Sequence, residues 1–343
     1  MLIWLHRFRW TVCQIDRLRR CFPASIRSIL DDLPKSLDET YSQTLLGIDE
    51  EKREYAQRLF RCLTISIRPL RVEELAEIFA VRFDEAAPPT FNPDWRPVDG
   101  SEAVLSACSS LVSIVDVAGS QIVQFAHFSV KEFLISERLA NADKPLSSYH
   151  ILPELAHTTL ARACLSVLLQ LDDKIDKNAI SRLPLAPYAA RYWMDHCRFK
   201  NASSHVQEEM KRLFDPMKPH FSAWLWLYDV DCHWLEPMSE AHPVQPQAVP
   251  LYYASLCGFR DLVEHLIIGR PQDINARGGH YDTPLRAASA KGHLNIVRLL
   301  LNSNANPNLF DEEGKAPIHS ASESGHLEVV KILVEYDADV TLD

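Results

Sequence analysis

A chain of 343 residues, 47% of them hydrophobic, exceeds one ordinary domain and is long enough for two or three domains with real cores. Its net charge of -10 removes the electrostatic case for nucleic acid or an anionic membrane as a partner. No apolar run approaches the roughly 18 residues of a membrane span, and the opening Met-Leu-Ile-Trp-Leu is interrupted by His6, Arg7 and Arg9 before a signal-peptide core can form, so a cytoplasmic location is expected.

From about residue 24 to 140 the chain reads as mostly helical. Ser36 with Glu39 forms a capping box ahead of a helix from Leu37 to Ile48. Tyr55 to Ile65 has helical periodicity, and Pro69 precedes a second amphipathic run, Val72 to Ala80. A proline-rich loop, Ala86 to Pro97, leads to a short helix over Ser101 to Leu111. Two alternating stretches, Val112 to Val117 and Gln121 to Phe125, are joined by Ala118-Gly119-Ser120, which is a β-hairpin signal. A helix from Ser129 to Leu139 follows.

Three helices and then a hairpin is the winged-helix arrangement. The order and wording, LPKSLDETY, RPLRVEELAEIFAV, SACSSLVSIVD and QFAHFSVKEFL, resemble the region after the nucleotide-binding module of fungal NACHT proteins, signal-transducing ATPases of the STAND class. Related winged helices carry a Met-His-Asp motif whose histidine faces the nucleotide, and Ala126-His127-Phe128 stands at that place. The resemblance therefore makes His127 a candidate nucleotide sensor. The competing reading has His127 capping the following helix or packing in the core, and Phe128 in place of the aspartate favours it. A DNA-binding role is not expected, because the third helix holds Glu102 and no Lys or Arg to meet phosphates.

The stretch from Tyr149 to Trp234 reads as a helical connector. Its aromatics, Tyr188, Tyr192, Trp193, Trp224, Trp226 and Trp234, lack the surrounding cations of a base-stacking platform and are expected to be buried against the first of the repeats that follow. Glu240 to Gln247, with Pro243 and Pro246, reads as a linker.

Beyond it three segments superimpose, from Pro250, Pro284 and Pro317, at spacings of 34 and 33 residues. In each, proline opens a first helix, and Gly258, Gly292 or Gly325 ends it in a left-handed turn. A second helix follows, with its apolar stripe at helical spacing. One pair cannot bury that stripe alone, so neighbours must stack. TPLRAASAKGHLNIVRLLL and APIHSASESGHLEVVKILV resemble the ankyrin repeat, and PLYYASLCGFRDLVEHLI is a looser copy. The family's binding face, carried over by position, falls on Arg277, Gly279, His280, Asp282, Ala290 and Lys291, then on Phe310, Glu312, Glu313, Lys315, Glu323 and Ser324.

Two positions depart from the family. Tyr281 replaces the usual hairpin glycine, so Gly278 and Gly279 are expected to supply the positive φ, and Arg286 replaces the usual first-helix histidine. Since Asp339-Val340 leads toward another hairpin and a solenoid end normally carries a polar cap, further repeats are expected beyond the third.

The chemistry of catalysis is not written in this chain. Only Gly47, Gly100 and Gly119 precede residue 258, and none belongs to a GxxxxGK[ST] loop. Neither GxSxG nor HExxH occurs. The eight cysteines, at 13, 21, 62, 108, 164, 197, 232 and 257, form no CxxC pair and no zinc-spaced cluster, and fit buried thiols in a reducing compartment. Cys197 beside His196 and Cys232 beside His233 are neighbours whose side chains point apart on a helix. No cofactor and no metal are expected.

The expected architecture is mainly α: residues 1–50 as a helical segment resembling the end of a NACHT module, 51–140 winged helix, 141–247 connector and linker, and 248–343 about three ankyrin repeats, the last truncated. The expected function is a non-catalytic recognition and regulatory module, part of a NACHT-type receptor, that takes a protein partner. The rival is a stand-alone ankyrin adaptor without an ATPase.

Overall fold

The computed structural model describes residues 36–83, 88–108, 110–200, 202–231 and 245–340, with Ile15 and Pro34. Cys13, Cys21, Cys232, His233 and Trp234, most of the segment before Ser36, and most of the linker from Glu240 lie outside the described residues. The chain is mainly helical and divides into two compact units, the second holding the chain from Cys164 onward together with Pro88.

The first unit opens with α1 (Leu37–Leu46), which Ser36 caps by accepting the Glu39 amide at 3.2 Å. α2 (Glu50–Ile65), β1 (Leu70–Arg71), α3 (Val72–Phe79), β2 (Val81–Arg82), β3 (Thr90–Phe91) and α4 (Gly100–Cys108) follow. The hairpin β4 (Val112–Val117) and β5 (Ser120–Phe125) turns through Ala118 (φ 54°) and Gly119 (φ 81°), two successive left-handed residues. β1 adds to β5 in antiparallel register, Leu70 opposite Val123, giving the strand order β1-β5-β4 of a winged helix. Leu59, Phe60, Leu70, Leu75, Ile78, Val104 and Val123 form its core.

Two elements differ from the sequence expectation. The proline-rich loop contains β3, which pairs with β2 through Val81 and Phe91. The helix expected over Ser129 to Leu139 breaks into α5 (Phe128–Leu134) and α6 (Glu137–Ala140). Ser136 causes the break: its hydroxyl donates to the Phe133 carbonyl at 2.7 Å and accepts the Leu139 amide at 3.3 Å, so it ends one helix and caps the next.

α3 buries two carboxylates that its sequence does not mark as different from Glu73. Glu74 is fully buried and takes both guanidinium nitrogens of Arg68, at 2.6 and 2.8 Å, and the Arg71 amide at 2.8 Å. Glu77, also fully buried, pairs with Arg96. The fork geometry makes Arg68 to Glu74 a strong pair that ties the loop before β1 to α3.

The second unit holds the remainder of α7 (Pro153–Leu168), α8 (Lys177–Ile180), α9 (Ala186–Cys197), α10 (Gln207–Leu213) and α11 (His220–Leu227). Three helix pairs follow: α12 (Pro250–Cys257) with α13 (Arg260–Gly269), α14 (Pro284–Ala290) with α15 (Leu294–Asn302), and α16 (Pro317–Glu323) with α17 (Leu327–Glu335). Gly258, Gly292 and Gly325 take φ of 87°, 72° and 74° just past the first helices, as the sequence implied. Leu262, Val263, Ile296, Val297, Leu300, Val329 and Leu333 are buried between the pairs.

Glu74→Gln is expected to cost about 1–3 kcal/mol, because it strips the charge that satisfies two guanidinium groups, while Glu73→Gln stays within about 0.5 kcal/mol. Urea midpoints of the two variants test this. Equal midpoints would refute the buried-carboxylate account.

Candidate functional site

The repeats stack through one recurring contact. The ring of His293 lies over Gly258, so that a Cβ there would come within 2.7 Å of the imidazole, and its Nε2 sits 3.1 Å from the Leu256 carbonyl. One repeat later, His326 covers Gly292 and meets the Ala290 carbonyl at 3.2 Å. Glycine thus serves twice, by accepting the left-handed turn and by leaving room for the ring.

In the first repeat Phe259 replaces that histidine, and the connector supplies the missing neighbour. Trp193 of α9 stacks on Phe259 with ring centroids 5.3 Å apart, and Arg198 donates to the Cys257 carbonyl at 2.9 Å. Phe221 of α11 meets Tyr253 edge-on at 5.5 Å. Tyr188, Trp193, Trp224 and Trp226 are buried as expected, whereas Tyr192 is only half-buried. Of the connector's rings, Trp193 and Phe221 meet the first repeat.

Arg286 is buried, and its departure from the usual histidine is explained by division of labour. In α16 the equivalent His319 accepts the Ala316 amide at 2.9 Å through Nδ1. In α14 the equivalent Thr283 amide donates to the Tyr281 carbonyl at 2.6 Å, and the Thr283 hydroxyl accepts the Arg286 amide at 3.3 Å. The Arg286 guanidinium is then free to reach the next repeat, where Nε donates to Ser320 Oγ at 2.8 Å and Nη1 pairs with Asp311. Desolvation works against the Asp311 carboxylate, but the Lys315 and Glu313 amides and Arg286 outweigh it and hold its pKa below the usual range.

The hairpin tip of the second repeat is pinned to the connector. Gly278 and Gly279 take φ of 143° and 74°, as expected from Tyr281, and Asp282 joins them at 62°. A side chain at Gly279 would enter the ring of Tyr252. The Tyr252 hydroxyl lies 2.8 Å from both oxygens of Asp231 and accepts the Tyr281 amide at 3.0 Å, while the His280 amide donates to Asp231 at 2.6 Å. Asp231 is only 6% exposed, and burial raises its pKa against the opposing amide and hydroxyl bonds. Sequence reasoning noted Tyr252 only for its bulk, and nothing in the pattern marked Asp231.

The expected binding residues sort into three groups. Ala290 is corrected: it is 6% exposed and packed at the end of α14 beneath His326, so it offers no surface. Gly279 is a close-packing position under Tyr252. Arg277 pairs with Asp282 at 2.5 Å and donates to the Phe310 carbonyl at 3.1 Å, and Lys315 pairs with Glu323 at 2.9 Å, so these four brace the finger tips. Phe310 is 52% exposed, and His280, Lys291, Glu312, Glu313 and Ser324 are exposed too. Lys291 Nζ stands 5.4 Å from the Tyr281 ring.

His127 caps α5. Its Nδ1 accepts the Ser129 amide at 3.3 Å and lies 2.6 Å from Ser129 Oγ, which in turn is 2.8 Å from the Tyr41 hydroxyl. The thiols of Cys62, Cys164, Cys197 and Cys257 are buried, and burial pushes Cys62 and Cys257 up to about 12 and raises Cys197 as well. Such thiols are not nucleophiles. His196 turns to the Tyr188 hydroxyl at 3.0 Å. Among the described residues no His/Cys/Asp/Glu group is placed to hold a metal, and no helix is long and apolar enough to cross a membrane.

Comparison with known proteins agrees with both units. Residues 251–343 match the family described as ankyrin repeats (3 copies), and residues 43–144 match the family described as GPI inositol-deacylase, winged helix domain. The chain is similar to the azaphilone pigments biosynthesis cluster protein L of Monascus ruber, 33% identical over 293 residues, covering 81% of this chain and 61% of that protein. It thus spans less than two thirds of that relative's length. A stretch of 64 residues is 38% identical to alpha-latrocrustotoxin-Lt1a of Latrodectus tredecimguttatus, 19% of this chain and 4% of the toxin. The chain is a winged-helix domain followed by ankyrin repeats.

Burial lowers the pKa of His293, against the pull of the Leu256 carbonyl and with help from Arg198 and Lys291. The folded solenoid therefore holds a neutral ring, while the unfolded chain takes a proton as pH falls through about 6.5. Stability should drop from that pH downward until the folded-state pKa is passed. A His293→Asn variant should lose less between pH 7.5 and 5.5 than the wild type does. Equal losses in urea midpoint would contradict the assignment.

Proposed function

We propose that this winged-helix and ankyrin chain is a non-catalytic recognition and regulatory module, the carboxyl-terminal part of a NACHT-type signalling receptor of the STAND class that takes protein partners on its repeats. The observation that carries the reading is the pairing of the two domains on one chain, since the resemblance places a winged helix after the nucleotide-binding module and repeats at the recognition end. Phe310, Lys291, Glu312 and Ser324 are the presented residues, and the ion pairs beside them hold the fingers in place. The module needs no cofactor of its own.

A second reading is favoured by the name of the Monascus relative. Carried over to this chain, it makes the protein an ankyrin adaptor attached to a biosynthetic cluster, acting by binding and without an ATPase. An in-frame GxxxxGK[ST] segment encoded upstream of Met1 favours the receptor, and a transcript starting at Met1 favours the adaptor.

Two outcomes are expected of the purified chain. Calorimetry with ATP should give no binding heat in the micromolar range, and His127→Ala should cost about 0.5–2 kcal/mol as a lost helix cap. Micromolar binding abolished by that variant would instead make His127 a sensor. A Lys291→Glu, Phe310→Ala double variant should keep its urea midpoint within about 0.5 kcal/mol and lose the proteins that the wild type captures. If the captured set is unchanged, the ankyrin face is not the recognition surface.

A further inference from the structure

The structural acids of this protein differ in what faces them. Arg68 and Arg71 meet Glu74, Arg96 meets Glu77, and Arg286 meets Asp311. Asp231, just after α11 and 6% exposed, has no cation in ion-pair contact among the described residues. Its carboxylate accepts the Tyr252 hydroxyl and the His280 amide, and the same hydroxyl accepts the Tyr281 amide. Neutral donors alone therefore tie the hairpin tip of the second repeat to the connector. The tip's own bonds, from the Gly278 amide to the Asp282 carbonyl at 2.7 Å and from Arg277 to Asp282, lie within it and do not involve Asp231.

An ionised carboxyl in such a place loses hydration without gaining a counter-charge. Asp229, whose Oδ1 accepts the Asp231 amide at 2.9 Å, adds a second negative charge beside it. Of the other titratable groups around it, burial and the carboxylate itself keep the Tyr252 hydroxyl protonated, burial raises the Cys257 thiol to about 12, and His280 favours the ionised acid. Burial prevails over the His280 amide and the Tyr252 hydroxyl, and the Asp231 pKa stands above its ordinary 3.8. A tip that opens returns the carboxylate to water and to that ordinary value. The closed tip thus binds the proton more tightly than the open one, so closure gains as pH falls from the raised value toward 3.8 and levels off below it. A neutral acid still offers Oδ2 to the His280 amide, so the contact outlasts the charge.

We propose that Asp231, the Tyr252 hydroxyl and the amides of His280 and Tyr281 form a proton-controlled latch: an uncharged Asp231 holds the second hairpin tip on the connector, and an ionised one loosens it. The third tip is held differently. Against desolvation, the Lys315 and Glu313 amides and Arg286 keep the Asp311 pKa below the usual range, so Asp311 stays ionised while Asp231 titrates. Acid orders one tip and leaves its neighbour as it was.

Hydrogen exchange of the full chain between about pH 7.5 and about pH 4.5, expressed as protection relative to an unstructured amide at each pH, tests the latch. Protection of the His280 and Tyr281 amides should rise as pH falls, by at most about tenfold per pH unit for one proton, while that of Glu313 and Lys315 stays level. Asp231→Asn, uncharged and of the same shape, should be protected equally at every pH, and His280→Gln, which keeps the backbone amide, should leave the rise in place. The latch is overturned if the wild-type His280 and Tyr281 amides stay level or lose protection in acid, if all four amides rise together, if the Asn variant still responds to pH, or if His280→Gln abolishes the response. Should Asp231→Asn fail to fold, the wild-type series and His280→Gln decide by themselves. No partner enters the measurement, so a failed latch leaves the ankyrin surface standing, and undiminished capture by the Lys291→Glu, Phe310→Ala chain removes that surface and leaves the latch.

Discussion

Successive repeats in this protein approach one another closely only because glycine ends each first helix. With no Cβ at Gly258 or Gly292, the imidazole of the following repeat settles on the turn and reaches the carbonyl behind it, at 3.1 and 3.2 Å. That contact sets the spacing at which Leu300, Val297 and Ile296 become fully covered, and so decides whether the apolar stripes are buried at all. At the amino end the same spacing is met by different chemistry. There Trp193 stacks on Phe259 and Arg198 donates to the Cys257 carbonyl, so the connector supplies the neighbour that the first repeat lacks. The connector is thereby a structural part of the solenoid's unit and not a tether.

Acidic groups inside both units are held by different means. Glu74 and Glu77 are met by arginines in the winged helix, and Asp311 by an arginine and two amides between repeats, so each charge keeps a counter-charge. Asp231 has donors from Tyr252 and His280, and burial raises its pKa. The difference lies in what reaches each acid: arginines approach Glu74, Glu77 and Asp311, whereas Asp231 is met by the Tyr252 hydroxyl and the His280 amide.

Bracing matters for recognition because a partner need not then supply the ordering entropy of the fingers. Arg277 with Asp282, Lys315 with Glu323 and the Tyr252 hydroxyl with the Tyr281 amide fix the tips, while Phe310 and Lys291 remain outward. The residues that shape the surface and the residues that it presents are therefore different sets, although sequence position assigns them to one face.

The repeats, their registers, the left-handed glycines and the hairpin at Gly119 were legible in the sequence, because each depends on local backbone geometry or on a period that survives in one dimension. The third helix without cations and the missing phosphate loop were legible for the same reason, as composition at fixed places. Tertiary structure alone decided which of Glu73, Glu74 and Glu77 is buried, since their helical neighbours look alike and the arginines arrive from other loops. It also decided that Ala290 lies beneath His326, that Ser136 splits a helix, and that Asp231 holds a hairpin 49 residues away. Burial and long-range pairing belong to the packed chain, and no local pattern encodes them.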